Sequence, residues 1–502
     1  MAGVRPGNGQ PNIVLITTDQ QRFDAAGAAA PDFLRTPHID ILESEGTRFT
    51  RAYSECPICV PARVTLMTGK SALEHRMMRN GRTTTVMGRD GTLPSVMRAA
   101  GYQTIAIGKM HFGPQRARHG FDEMILPDDY YREIRRSGAR LQPMRHGLGQ
   151  LSLYPTLSTV PESMTLTNWT VDQSVSFILN RRDPTAPFFL WCSFSKPHPP
   201  LDPPEPYYSM YADAPIPSPV SGSWAEGTDV PASFDRIRAR RGMDRMDDGT
   251  LRRARMAYYG LVTQIDYNLG RLYAALQEAG LWDDTLILYT SDHGEYLGDH
   301  GTAGKIFFHD PSARVPLIVR PPLGWDIARG TEVSKPVTLA DVMPSLSAFA
   351  VHGADAVHPD ASGQSSDSPG EGITGCSGHN LLPWLARPPE GTGYATGVGA
   401  YETPCDYVAI TDGHWKYIYY PEGAMEQLFN LDEDPDETTN RIRNTEVTDA
   451  ATRLRTELVR IHRRHDSGML EGDWFPVRDV EQRAARRLYS FHTEYFDGDV
   501  RH

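Results

Sequence analysis

Cys59-x-Pro61-x-Arg63 is the stretch of this 502-residue chain whose residue types could do the most chemistry. Pro61 suits the first turn of a helix, where its missing N–H removes no hydrogen bond. Ala62 to Thr68 can continue that helix, and Gly69 can end it. Cys59 then stands just before the helix start, where free N–H groups and the dipole favour negative charge. Arg63, about one turn on, can pair with an anion beside Cys59. A thiol, a helix N-terminus and a guanidinium together make a nucleophile with an oxyanion grip. The plain alternative is a loop cysteine before an ordinary helix. Cys56-x-x-Cys59 also has the spacing of a redox pair or half a zinc site, but Cys192, Cys376 and Cys405 are scattered and offer no second close pair.

Other reactive side chains follow apolar runs. Asn12 to Thr18 reads as a buried strand and delivers Asp19, a metal-ligand candidate at a strand end. Gln103 to Gly108 leads into Lys109 and His111, two apart and so on one side of an extended segment. Pro187 to Phe194 leads into Lys196-Pro197-His198-Pro199-Pro200, whose prolines stiffen His198. Thr285 to Ser291 delivers Asp292 and His293, a pair that suits a hard or borderline divalent cation.

The elements that must position these groups alternate strand and helix. That pattern predicts an α/β fold with a mostly parallel central sheet flanked by helices and a small C-terminal α+β subdomain. Val315 to Arg320 reads as a strand at an edge, because of Pro316. Residues 221–248 read as a solvated excursion near the site. Leu251 to Ala279 has apolar residues at helical spacing, with Asp266, Asn268 and Arg271 on the polar side. Val337 to Ala350 is a further helix, and 352–378 reads as a loop. Tyr407–Thr411 and Trp415–Tyr420 form a hairpin signal around Asp412-Gly413. The acidic run Asp432-Glu433-Asp434 leaves open a calcium loop or a turn after a strand. These boundaries divide the chain into a catalytic domain (1–390), a small subdomain with hairpin and helix (391–465) and an aromatic tail (466–502). The tail's aromatic residues are expected to pack on the body or on another subunit, which makes the tail the candidate route to a homo-oligomer. The pocket walls are expected from 128–161 and 221–248.

Composition bounds the function. A formal charge of −12 argues against nucleic acid or an anionic membrane as partner. The first eleven residues are polar and lack the apolar core of a signal peptide. With five cysteines in no regular framework, this predicts a cytoplasmic enzyme.

Several of these motifs resemble a known family. Cys59-x-Pro61-x-Arg63 with Leu66-Met67-Thr68-Gly69, Gly108-Lys109-x-His111, and Thr290-Ser291-Asp292-His293-Gly294-Glu295 with Lys305 thirteen residues after Asp292 are similar to the motifs of sulfatases in the alkaline-phosphatase superfamily. The likeness spans Asn12 to about Leu431 and is strongest to the branch containing phosphonate monoester hydrolases. It implies an alkaline-phosphatase-like fold and a Cys59 oxidised to formylglycine by a formylglycine-generating enzyme. It implies one divalent metal ion, held by Asp19, Gln20, residue 59, Asp292 and His293. Arg63, Asn80, Lys109, His111, His198 and Lys305 would hold the anion or the leaving group, with His198 or Lys305 protonating the departing oxygen. Many members carry Asp where this chain has Gln20 and Asn where it has His293. One carboxylate fewer and one imidazole more weaken the preference for calcium and admit manganese. The implied activity is hydrolysis of a small sulfate monoester, with phosphonate monoester or phosphodiester hydrolysis as the alternative. A metal-binding scaffold with unconverted Cys59 is the non-enzymatic reading.

Overall fold

Runs that are apolar on both faces must be covered from both sides. A computed structural model describes residues 10–81, 87, 90–136, 142–149, 151–227, 229–357 and 376–480 of the chain. In chain order its strands are β1 (Asn12–Asp19), β2 (Thr47–Phe49), β3 (Ala52–Tyr53), β4 (Gln103–Gly108), β5 (Glu123–Ile125), β6 (Phe188–Pro197), β7 (Thr285–Ser291), β8 (Arg314–Val315), β9 (Leu317–Arg320), β10 (Thr331–Val333), β11 (Val337–Thr338), β12 (Ala395–Gly399), β13 (Tyr407–Thr411), β14 (Trp415–Tyr420) and β15 (Met425–Asn430). Eight form the central sheet, in the order β10-β2-β9-β7-β1-β6-β4-β5. All run in one direction except β9, which pairs antiparallel with both of its neighbours.

Side-chain alternation assigns the two faces. Ile13 and Leu15 point to one side, where the helices Cys59–Thr68, Leu93–Ala99 and Val342–His352 cover them. Val14 and Ile16 point to the other, beneath Pro37–Ser44, Leu166–Ser176 and Asp248–Glu278. No helix among the described residues is long and apolar enough to cross a membrane.

Four expectations change. β9 is interior, between β7 and β2, because Pro316 separates it from β8 instead of lying within it. Residues 221–248 are no solvated excursion: the helix Ala232–Arg241 buries Phe234 and Ile237, and Trp224 stacks on His309. Asp266 and Asn268 are buried. Asp266 accepts the backbone N–H groups of His38 and Ile39 at the start of Pro37–Ser44, and Asn268 donates to Asn168. Val337 and Thr338 form β11, so the helix there starts later, at Val342.

A four-stranded antiparallel sheet, β12-β13-β14-β15, and the helix Thr448–Arg464 form the C-terminal part. Lys416 of β14 is fully buried and pairs with Asp310 and Glu437, which ties this sheet to the loop after β7. Asp434 accepts from the backbone of Thr438 and Thr439 and so closes a turn. Trp474 and Phe475 pack on Tyr419. Most of the loop at 352–378 and the aromatic residues beyond 480 lie outside the described residues, and with them the expected route to self-association.

Glu55 lies buried just ahead of the nucleophile stretch, and its Oε2 has no hydrogen-bond partner among the described residues. Burial, and then the carboxylates of Asp341 and Glu74, push it from 4.5 up to about 8. Between those values the folded chain keeps a proton that the unfolded chain has lost, so stability falls as pH rises through that window. Glu55→Gln keeps the shape of the protonated acid and should flatten that slope. Thermal melts should coincide near the acid end of the window and favour the variant above it; parallel profiles would refute the assignment.

Candidate active site

Four parallel strands end at one edge of the sheet, and each hands on a polar residue. β1 ends at Asp19, paired in register with Pro197 of β6. β6 is followed at once by His198, whose N–H donates to Asp19 O at 3.0 Å. β7 is followed by Asp292, whose N–H donates to Thr18 O at 3.3 Å. β4 turns at Gly108 into Lys109, whose N–H donates to Ser193 O at 2.9 Å. Gly108 has φ +97°, and a Cβ there would sit 1.9 Å from Ser193 O, so only glycine makes this turn.

The helix Cys59–Thr68 approaches this edge from one face. Cys59 is its first residue, so the nucleophile candidate sits within the first turn instead of ahead of it. The Val60 N–H is capped by Asn80 Oδ1 at 3.1 Å, and Gly69, with φ +62°, closes the far end. Cys59 Sγ lies 3.2 Å from His293 Nε2 and 3.9 Å from Asp19 Oδ1. Asp19, Cys59, Asp292 and His293 are all buried, with one ligand atom from each within 4.8 Å of all the others. Two carboxylates, an imidazole and a group on the Cys59 Cβ make a donor set that fits a hard or borderline divalent cation.

Cations crowd the same point. Arg63 donates from Nε to Asp292 Oδ2 at 2.8 Å and from Nη2 to Asp19 Oδ2 at 3.1 Å. Lys109 Nζ pairs with Asp19 and lies 4.0 Å from Cys59 Sγ. Lys305 Nζ lies 3.4 Å from Cys59 Sγ, 2.7 Å from Gln20 Oε1 and 3.1 Å from His198 Nε2. His198 Nδ1 faces Pro199 O at 2.8 Å, so Nδ1 carries the hydrogen and Nε2 accepts from Lys305. His111 also reaches Cys59, but through a left-handed backbone at φ +61° instead of an extended segment.

The charges explain one another. Burial opposes the Asp19 carboxylate, yet the Lys109 and Arg63 cations outweigh it and hold the group well below the usual range. Burial and the Asp19 charge push Asp292 up to about 6. Burial and Lys305 push His198 down to about 3, so its ring is neutral at rest.

Beside this cluster a cavity of about 740 Å³ opens, with Lys109, His111 and His198 at its inner end. Its walls include Phe112, Leu126, Tyr130, Tyr131, Val160 and Leu166, and Tyr401 from the C-terminal part. Residues 128–161 do contribute, but none of the described residues at 221–248 does. Ser193 and Tyr401 carried no readable signal, and Glu295 stood in the motif after β7 without an assigned role. Ser193 Oγ accepts from Arg63 Nη1 at 3.0 Å and donates to Lys109 O at 2.6 Å. Glu295 accepts from Gln20, and Tyr401 enters the cavity wall.

Comparison with known proteins agrees with this geometry. The family model described as Sulfatase matches residues 11–352. An arylsulfatase of Clostridium perfringens is 32% identical over 490 residues, 92% of this chain and 97% of that protein. A choline-sulfatase of Rhizobium meliloti is 31% identical over 87% of this chain and 83% of its own length. The phosphonate monoester hydrolase of Agrobacterium radiobacter superposes with a TM-score of 0.72 at 25% identity, covering 91% of this chain and 96% of that one. A match over most of the chain, on the alkaline-phosphatase-like sheet whose strand ends carry these groups, means that this protein belongs to the sulfatase family and is a sulfuric ester hydrolase.

Proposed function

We propose that the enzyme hydrolyses a small sulfate monoester through formylglycine made from Cys59, with one divalent cation held by Asp19, Gln20, residue 59, Asp292 and His293. The observation that carries this reading is the set of four ligand atoms from Asp19, Cys59, Asp292 and His293, all within 4.8 Å of one another, with Arg63, Lys109 and Lys305 converging on it. The cation would offset the negative charge of the sulfate and favour an ionised oxygen on residue 59. Formylglycine would supply a hydrated aldehyde, one hydroxyl to attack sulfur and a second to release sulfate by C–O cleavage. Imidazole and amide donors beside only two carboxylates support manganese over calcium. A formylglycine-generating enzyme is then the required partner. Five free cysteines support a reducing compartment such as the cytoplasm.

The chain's own residues divide the remaining work. Arg63 holds Asp19 and Asp292 in place as ligands. Lys109, His111 and Asn80 line the sulfate end of the cavity, where their donors offset charge on the equatorial oxygens. His198 and Lys305 share a hydrogen bond, and this pair delivers the proton to the departing oxygen. The aromatic and apolar walls suit an aryl or other apolar leaving group, in keeping with the arylsulfatase relative.

The likeness to the phosphonate monoester hydrolase of Agrobacterium radiobacter favours a second reading, hydrolysis of phosphonate monoesters or phosphodiesters, which share the single negative charge of a sulfate monoester. A panel of aryl sulfate, aryl phosphonate monoester and phosphodiester decides between them. The sulfatase reading requires the sulfate ester to give the highest kcat/KM. Intact-mass analysis reads the modification, since conversion of Cys59 to the aldehyde removes about 18 Da. A persistent thiol in a host with the maturing enzyme, together with no turnover, would leave the scaffold reading.

His198→Ala should slow alkyl sulfates by roughly 10²- to 10⁴-fold and 4-nitrophenyl sulfate far less, because a good leaving group needs little protonation. Equal losses for both esters would remove His198 from that step.

A further inference from the structure

Gln20 and Glu295 meet beneath the ligand cluster, and Glu295 has no part in the reading above. Gln20 has a left-handed backbone, φ +70°. Its N–H donates to Asp292 Oδ1 at 3.1 Å, and its carbonyl accepts from Tyr258 at 2.8 Å. The side-chain amide therefore projects between two set neighbours. Lys305 Nζ lies 2.7 Å from Oε1, and Glu295 Oε2 accepts from Nε2. An ammonium has donors only, so the amide oxygen must face Lys305. Glu295 is fully buried, and its Oε1 is taken by the backbone N–H groups of Leu297, at 2.8 Å, and Gly304. Its own N–H donates to Pro311 O at 2.7 Å. The carboxylate is thus anchored by backbone on one side and left with one oxygen for Gln20.

We propose that Glu295 is a positioning residue: it locks the Gln20 amide with Oε1 turned toward Lys305 and the ligand cluster. In its ligand part this rests on the metal reading given above. The pairing also accounts for an amide at position 20. A carboxylate there would lie against the buried carboxylate of Glu295 with no cation between the two.

The reciprocal exchange tests this. In Glu295→Gln the new amide oxygen must serve Leu297 and Gly304, so its NH₂ meets that of Gln20. Either the contact is lost or Gln20 flips and turns its NH₂ on Lys305. In Gln20→Glu two carboxylates meet. In the double variant Gln20→Glu/Glu295→Gln every bond is restored: the amide at 295 donates to the carboxylate at 20, whose other oxygen accepts from Lys305.

The full-length chains would be stripped of metal and titrated with Mn²⁺ alone, following free Mn²⁺ by electron paramagnetic resonance. Turnover of 4-nitrophenyl sulfate and thermal melts would be recorded alongside. Each single change should weaken Mn²⁺ binding about 10- to 100-fold. It should lower kcat/KM with little change in melting, and the double variant should recover at least tenfold of either loss. Unchanged Mn²⁺ affinity in Glu295→Gln, or single losses that simply multiply in the double variant, would overturn the proposal. If a single variant fails to fold, recovery in a folded double variant supports the pairing, and damage equal to the worse single rejects it. If the wild type binds neither Mn²⁺ nor Ca²⁺, the metal reading falls, while recovery of turnover still decides the pairing.

Discussion

Cys59→Ala will reduce sulfate-ester turnover by roughly 10⁴-fold or more, the scale of losing a covalent nucleophile. The fold should survive it. Cys59 is a small side chain in the first helical turn, and the cap on that turn comes from Asn80, not from Cys59 itself. Melting temperature should therefore change little while kcat falls to background. Metal binding should weaken but persist, because Asp19, Asp292 and His293 remain. The intact mass of wild type and variant, taken with the rates, separates the loss of a converted residue from the loss of a plain thiol. Substantial turnover by the alanine variant would rule out residue 59 as nucleophile.

Arg63→Met should cost stability as well as activity. The guanidinium is wholly buried and bridges Asp19 and Asp292, so removing it leaves two buried carboxylates short of a partner. Breaking a buried pair from one side typically costs about 3–5 kcal/mol. A divalent cation among the same carboxylates would offset part of that loss. Urea unfolding should show a larger deficit in chelator than in Mn²⁺. An equal deficit in both would separate Arg63 from the metal site, and no deficit would contradict the bridging geometry. Turnover should fall further than stability alone explains, because both ligands then lose their fixed orientation.

Much of this site is legible in the residue order because its groups follow recognisable strands. Asp19, Lys109 and Asp292 come immediately after apolar runs and His198 a few residues after one, and strand ends of a parallel sheet open onto one crevice. The helix that begins at Cys59 is legible for a similar reason, since Pro61 and Gly69 mark its ends. What was misread depended on contacts remote in the chain. Asp266 and Asn268 look like the wet side of an amphipathic helix, yet Pro37–Ser44 and Leu166–Ser176 cover that side and supply their partners. The charged stretch 232–241 looks solvated, but Arg236 pairs with Glu402 and Glu422 of the C-terminal part, and that lets Phe234 be buried. Pro316 suggested an edge because proline cannot donate to a ladder; the chain instead breaks there and re-enters the sheet as an interior strand.

Residue types and their order establish which groups are available: a helix-borne cysteine, two carboxylates, imidazoles and lysines, each at a strand or helix end. They do not establish distance. Asp19 and Asp292 share one guanidinium because β1 and β7 are neighbours in register, and that register is set by how Val14, Ile16, Ile287 and Tyr289 pack beneath the helices. The walls of the cavity likewise come from segments as far apart as 112 and 401. Local chemistry repeats along a chain, but convergence is a property of the packed core, and it is packing that makes these scattered groups one site.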